Sequence, residues 1–308
     1  MTDIILLDGS IGQELVKRSN DRITPMWSTQ VLMDHPDLVY DVHSDYLSAG
    51  ATIVTTNTYA IHRSRLVRIG MEDKQAELLG NALDQADRAR ARHKGKGRIA
   101  GSLGPLLASY RPDLEPDPEQ AETLFGQIVE AMAPRVDLFL IETVSSIQEA
   151  EGALRGTTQT DKEVWIAFSV MDDDGTRLRS GENLADAAAV IARHRVDAVL
   201  INCTRPESVA PALDIIATFG KPFGAYANGF EVITDGFLKD APTVDALQAR
   251  SDLEPEVYAR HAMSWVDQGA TIIGGCCGVG PGHIAGIARQ LKAAGHTLVL
   301  PPPSFFPQ

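Results

Sequence analysis

The sequence predicts a single (β/α)8 barrel of the TIM type, and three observations carry that prediction. Short apolar runs alternate with longer amphipathic stretches along the whole chain, the runs number eight, and the segments that follow them are long while those that precede them are short. The runs are Ile4 to Asp8, Thr52 to Thr56, Arg98 to Leu103, Asp137 to Glu142, Glu163 to Val170, Asp197 to Asn202, Lys221 to Ala227 and Ala270 to Gly275. Each is rich in Ile, Val, Leu or Phe and of strand length, the pattern of a strand covered on both faces. Helical spacing fills the gaps, over Leu38 to Ala49, Lys74 to Arg92, Pro118 to Met132, Ile147 to Leu154, Leu184 to His194, Pro206 to Phe219, Glu256 to Gln268 and Pro281 to Ala294. Strand and helix in strict alternation imply a parallel sheet, and eight repeats in 308 residues fit a closed barrel better than an open, doubly wound sheet. The whole chain, 1–308, reads as one domain with a short Pro-rich tail at Pro301 to Gln308.

The inequality of the connections points to a working end. Helix-to-strand links such as Arg195 to Val196 are minimal, whereas Gly9 to Asp37, Gly104 to Asp117, Met171 to Asn183 and Asn228 to Pro255 are long and rich in Gly, Pro and Asp. These loops gather at the C-terminal face of the strands, where this fold builds its sites. Composition narrows the partners: 28 basic against 41 acidic residues leave a net charge of −13, which repels a nucleic-acid backbone. No run of about 18 apolar residues offers a membrane span and the first residues lack a basic export signal, so the expected compartment is the cytoplasm. Three cysteines cannot build a disulfide framework, which agrees with a reducing compartment.

What stands at the strand ends carries the chemistry. Strand one ends at Asp8, strand two at Thr56 and Asn57, strand four at Glu142, strand six at Asn202 and Cys203, strand seven at Asn228, and strand eight at Cys276 and Cys277. A single free cysteine is ordinarily a small buried hydrophobe, but here all three fall on one rim. In a closed barrel strands six and eight flank strand seven, so Cys203, Cys276 and Cys277 can converge on one ion. Three thiolates with a fourth position open is the arrangement of a catalytic Zn2+ site. A vicinal Cys276–Cys277 disulfide is the competing reading, disfavoured by its local geometry and by the compartment. Glu142 closes an otherwise apolar strand and reads either as a helix cap or as a substrate anchor. Asp8 precedes Gly9 and reads either as a turn residue or as part of the same site. Asp172 to Gly175 (DDDG) lacks calcium-loop spacing and reads as a solvated turn.

The segments LLDGSIGQEL (6–15), TTNTYA (55–60), GSLGP (101–105), IETVSSIQEA (141–150), SGENL (180–184), INCTRPE (201–207), YANG (226–229) and GGCCG (274–278) resemble the zinc-dependent homocysteine S-methyltransferase family, over nearly the whole chain. The resemblance implies Zn2+ on Cys203, Cys276 and Cys277, L-homocysteine as acceptor, a separate methyl donor and methionine as product. It implies further that Glu142 grips the homocysteine ammonium, with Asp8 beside it, and that the amides of Gly9 and Ser10 receive the carboxylate. Many relatives carry a second glycine where this chain has Ser10. Asn202 and Asn228 flank the cysteines and are candidates for orienting the site or supplying a resting-state oxygen ligand, with ordinary strand-end hydrogen bonding as the alternative. Tyr59 is a candidate wall of the substrate chamber. Trp27, Tyr110, Phe230 and Phe237 could box an onium methyl by cation-π attraction. S-methylmethionine is the favoured donor, with S-adenosylmethionine, betaine or a separate corrinoid protein as alternatives. A zinc hydrolase and a non-catalytic metal- or thiol-binding barrel remain as readings from other classes.

Overall fold

A computed structural model describes residues 2–21, 24, 26–233 and 248–300. Phe237 and the Pro-rich tail lie outside them. The eight apolar runs all become strands: β1 (Asp3–Leu6), β2 (Ile53–Thr55), β3 (Arg98–Leu103), β4 (Leu138–Val144), β5 (Glu163–Phe168), β6 (Ala198–Asn202), β7 (Phe223–Tyr226) and β8 (Ile272–Ile273). They pair in parallel in the order β2-β3-β4-β5-β6-β7-β8-β1. A parallel bridge from Leu7 to Ile53 closes the ring between β1 and β2. This α/β barrel is the predicted fold.

The β1–β2 seam has little backbone ladder, and side chains complete it. Thr52 N–H donates to the Leu6 carbonyl at 2.7 Å. The Asp8 carboxylate accepts from the Thr55 N–H at 2.6 Å and from Thr55 Oγ1 at 2.9 Å. A two-residue strand the sequence did not disclose, β9 (Thr297–Leu298), pairs with the outer edge of β1. It is too short to carry a period-two signal.

Around the ring lie α1 (Ile11–Ser19), α2 (Ser28–Asp34), α3 (Pro36–Ala49), α4 (Arg63–Leu66), α5 (Gln75–Arg92), α6 (Pro118–Met132), α7 (Ile147–Gly156), α8 (Ala188–Arg193), α9 (Pro206–Ile216), α10 (Pro255–Asp267) and α11 (Pro281–Ala293). Their starts follow local chemistry. Proline opens α3, α6, α9, α10 and α11, where its missing N–H costs nothing. Asp117 caps α6, and Ser146 caps α7 by accepting from the Glu149 N–H. The stretch Gly9 to Asp37, which the sequence presents as a loop, contains α1 and α2. α1 buries only Ile11 and Leu15, too few positions to establish a period. Among the described residues no helix is long and apolar enough to cross a membrane.

The barrel is solid below its mouth. Leu138, Leu140, Trp165 and Leu200 are fully buried inside the ring, and the small Ala100, Ala167 and Ala198 of the same cluster offset the bulk of Trp165. At the opposite end from the long loops, Arg98 and Glu163 form an ion pair at 3.2 Å with side chains only 8% exposed. Arg98 also donates to the Asp137 carbonyl at 3.1 Å. Removing one partner leaves a buried charge uncompensated, so Glu163→Ala is expected to cost about 3–5 kcal/mol of stability in urea unfolding while leaving ligand binding at the far end intact.

Candidate metal and substrate site

Two strand ends deliver the sulfurs. The chain leaves β6 at Asn202 and turns immediately at Cys203, whose φ of 49° is rare for a non-glycine residue. Beyond β8 the chain passes through Gly274 and Gly275 to Cys276 and Cys277. Gly275 has no room for a Cβ, which would meet the Val279 side chain. Gly278, at φ 79°, then turns the chain toward α11. The three sulfurs lie within 4.8 Å of one another. Cys203 Sγ is 3.9 Å from Cys277 Sγ, and Cys276 Sγ is 4.0 Å from it. Cys203 and Cys276 are in disulfide contact, with Cα atoms 5.7 Å apart. The disulfide weighed from sequence paired neighbours in the chain; the structure instead pairs Cys203 with Cys276 and leaves Cys277 as the free thiol.

With the Cys203–Cys276 bond reduced to two thiols, the set fits a metal. Thiolates placed tetrahedrally around an ion at about 2.3 Å stand about 3.8 Å apart, close to both Cys277 separations. Desolvation, reinforced by the Glu142 charge, pushes the Cys277 thiol up to about 12. A thiolate there therefore needs a cation beside it.

The sulfurs border a cavity that Asp8, Glu142, Tyr226, Cys203, Cys276 and Cys277 all line. Glu142 is not a helix cap. Its Oε1 accepts from Ser102 Oγ at 2.5 Å and its Oε2 from the Tyr226 hydroxyl at 3.2 Å. Desolvation raises its carboxyl to about 7 against the pull of those two donors. Asp8, on the same cavity, is raised well above the usual carboxylate range, by desolvation first and by the neighbouring Glu142, while Thr55 opposes the shift.

The backbone around this cavity is held in uncommon conformations. Six non-glycine residues have positive φ among the described residues, and four of them, Trp27, Tyr110, Thr143 and Cys203, line the cavity. Such residues collect where surrounding structure overdetermines them.

The remaining predicted residues fall into place unequally. Gly9 and Ser10 border the cavity, and a Cβ on Gly9 would collide with the Val279 carbonyl. Ser10, however, donates its N–H to Val279 O at 2.9 Å, so that amide is already engaged. Ile11, Gly12 and Gln13, in the first turn of α1, line the wall beyond it, at a helix start whose first N–H groups have no partner within the helix. Tyr59 lines the cavity, its hydroxyl 2.7 Å from Ser109 Oγ. Asn202 does not border the cavity: its carbonyl accepts from the Thr143 N–H at 3.0 Å and its amide donates to Thr143 Oγ1 at 3.1 Å. It thereby holds the left-handed turn that follows Glu142. Asn228 is buried too, accepting from the Phe230 N–H at 3.2 Å and shaping the loop after β7. Of the aromatic candidates, Trp27 and Tyr110 line the cavity, and Phe230 packs in the cluster that contains Cys203.

Several residues of the site escaped the sequence reading. Ser102 and Tyr226 sit in the quoted motifs GSLGP and YANG, yet only the fold shows that both reach Glu142, Ser102 from the adjacent β3 and Tyr226 from β7, which does not adjoin β4. Gln13, one turn into α1, accepts from the Gly278 N–H at 2.5 Å and so braces the turn that carries Cys276 and Cys277. The DDDG segment is a correction. Asp172 is not a solvated turn residue, because it pairs in two-pronged fashion with Arg179 at 2.9 and 3.0 Å, with both side chains about one-tenth exposed. Local composition hid a carboxylate that also accepts from the distant Arg205 and Ile233 N–H groups.

A parallel barrel with three cysteine sulfurs and two desolvated carboxylates at the C-terminal mouth defines a sulfur-handling, metal-competent enzyme class. Comparison with known proteins makes it specific. The profile of the homocysteine S-methyltransferase family matches residues 5–291. The chain is 29% identical to the homocysteine S-methyltransferase of Escherichia coli (strain K12), across 94% of this chain and 95% of that one. It is 29% identical to homocysteine S-methyltransferase YbgG of Bacillus subtilis (strain 168), across 94% and 96%. The fold superposes on the metallated form of the E. coli homocysteine methyltransferase MmuM with a TM-score of 0.78 at 27% identity, covering 94% of this chain and 96% of that one. The chain belongs to the homocysteine S-methyltransferase family and is a methyltransferase acting on homocysteine.

The hydrogen bonds of Asn202 generate a prediction. Asn202→Ala strands the buried Thr143 N–H, which is expected to cost about 1–3 kcal/mol in thermal unfolding and to raise the KM for homocysteine by displacing Glu142.

Proposed function

We propose that the chain transfers a methyl group from a positively charged onium donor, with S-methylmethionine the foremost candidate, to the thiol of L-homocysteine, using Zn2+ held by Cys203, Cys276 and Cys277. One observation supports the donor class: among the described residues lining the cavity the ionisable groups are Asp8, Glu142, tyrosines and thiols, with no Lys, Arg or His. Such a lining repels an anionic donor and attracts a sulfonium or quaternary ammonium, which the face of Trp27 can also hold by cation-π attraction.

When bound, the zinc supplies the charge that lets a thiol of ordinary pKa about 8.5 ionise near neutrality. The chain's own residues do the rest. Glu142, kept in place by Ser102 and Tyr226, takes the homocysteine ammonium, while the first-turn amides of α1 take the carboxylate with the aid of the helix dipole. Asp8 holds Thr55 and adds negative charge beside the ammonium. With both ends of the amino acid fixed, the sulfur can point only toward the cysteine cluster. The sulfur then forms its bond to the methyl carbon as the donor's onium bond to that carbon breaks; the donor leaves neutral, and from S-methylmethionine two methionines result. S-adenosylmethionine and betaine belong to the same charge class, and a corrinoid protein docking on the mouth is the remaining alternative.

The decisive assay offers homocysteine with S-methylmethionine, S-adenosylmethionine, betaine or methylcobalamin in turn to metal-analysed protein and scores methionine. Turnover with an onium donor, abolished by chelation and restored by zinc, is the expected result. Cys276→Ala is expected to lose metal and activity together, and a fully active, zinc-free Cys276→Ala protein would refute the mechanism.

Glu142 gives a pH dependence. Its carboxyl holds its proton to about pH 7 in the free protein, and an ammonium pairs only with the carboxylate. Methionine, which lacks a titrating thiol, is therefore expected to bind about tenfold more weakly for each pH unit below 7, with Glu142→Gln flattening that profile in calorimetric titrations. The effect on the fold runs the opposite way. The folded protein keeps this proton longer than the unfolded chain does, so the contribution to stability is intact below the unfolded value of about 4.3 and is lost as the pH climbs toward 7.

A further inference from the structure

We propose that Arg179 is a positioning residue of the methyl-transfer site: its guanidinium holds Cys203 at the metal position and, through Asp172 and Tyr110, sets the donor side of the mouth in register with that ligand. The inference rests on the reading of the three cysteines as a metal site.

Cys203 needs such a hold. It leaves the β6 ladder with a left-handed backbone, so its carbonyl turns away from strand pairing while the residue stays 4% exposed. That carbonyl accepts two hydrogen bonds from the segment after β5, from Ser169 Oγ at 3.2 Å and from Arg179 Nη2 at 3.1 Å. Ser169 is aligned in turn by Arg179 Nε, which donates to its hydroxyl at 3.2 Å. One guanidinium thus fixes the ligand's backbone both directly and through a serine.

The other groups on Arg179 reach the loops. Its two Nη atoms clasp the Asp172 carboxylate, which also accepts from the Ile233 N–H at 3.0 Å and the Arg205 N–H at 3.3 Å. Ile233 lies in the long loop after β7, and Arg205 follows Cys203 in the turn into α9. The flat guanidinium lies against the Tyr110 ring, 5.1 Å to its centroid, and Tyr110 is a cavity wall on the loop after β3. Only a planar, many-donor cation can serve a carboxylate, a carbonyl, a hydroxyl and an aromatic face together, so lysine is not equivalent here.

The test uses the full chain as Arg179→Lys, Arg179→Ala and Asp172→Asn, with Arg177→Ala as control, since Arg177 pairs with Asp174 at the exposed surface of the same loop. Zinc retention is read by chelator competition, donor and homocysteine KM by steady-state kinetics, and Cys203 alkylation by peptide mapping of the reduced, metal-free protein. The Arg179 and Asp172 variants are expected to hold zinc about tenfold more weakly and to alkylate faster at Cys203. They are expected to raise the donor KM about tenfold with the homocysteine KM moving less than about twofold, while the control follows wild type. Unchanged zinc retention, or both KM values rising in parallel with a fall in melting temperature, overturns the proposal in favour of a purely structural role. Wild-type protein that takes up no zinc refutes the metal reading instead, and the alkylation rates still decide whether Arg179 positions Cys203.

Discussion

The closure of the barrel between β1 and β2 is the constraint on which the site depends. That seam is completed by the Asp8 carboxylate, whose two oxygens are both engaged by Thr55. Closure curls the sheet far enough for the ends of β6 and β8 to face each other across β7, bringing Cys203 to residues seventy-odd positions away. The group that holds the seam also faces the substrate cavity, so the architecture and the binding charge share one side chain. This sharing explains why an acid of such raised pKa is tolerated: Thr55 supplies two donors to it in a place from which water is largely excluded.

Much of this was legible in the sequence because it rests on local pattern. All eight strands and eight of the helices follow from apolar runs and amphipathic spacing, and the rim cysteines and Glu142 stand out because polar or reactive residues end otherwise apolar strands. The legible part stops where function depends on partners distant in the chain. Asn202 is readable as a strand-end residue, but its partner Thr143 is 59 residues away and only the fold supplies it. Ser10 could be located but not its engagement with Val279, which follows the neighbouring strand β8. Asp172 sits in a run of aspartates whose composition suggests solvent, and its burial comes from Arg179, the turn after β6 and the loop after β7. Short elements such as α1 and β9 carry too few residues for any period to show.

The electrostatics of the mouth follow one logic. Two carboxylates and three sulfurs open on a cavity whose described lining offers no basic side chain, in a chain of net charge −13. Burying ionisable groups away from water is costly, and the raised Glu142 carboxyl and the reluctant Cys277 thiol are the signature of that cost. In the proposed reading, a metal among the sulfurs, an ammonium at Glu142 and an onium methyl against the aromatic walls would each offset it.

The four cavity-lining residues with positive φ place the strain of this protein in its backbone. Each such conformation costs on the order of 1–2 kcal/mol for a residue with a Cβ, and glycine would escape it. A glycine at Thr143 would also let the chain swing and free the carboxylate before it, and a glycine at Cys203, Trp27 or Tyr110 would remove the sulfur or the aromatic wall itself. Robustness of the barrel and fidelity of its mouth therefore pull in opposite directions at four known places, and selection for a sturdier fold alone would erode the site there first.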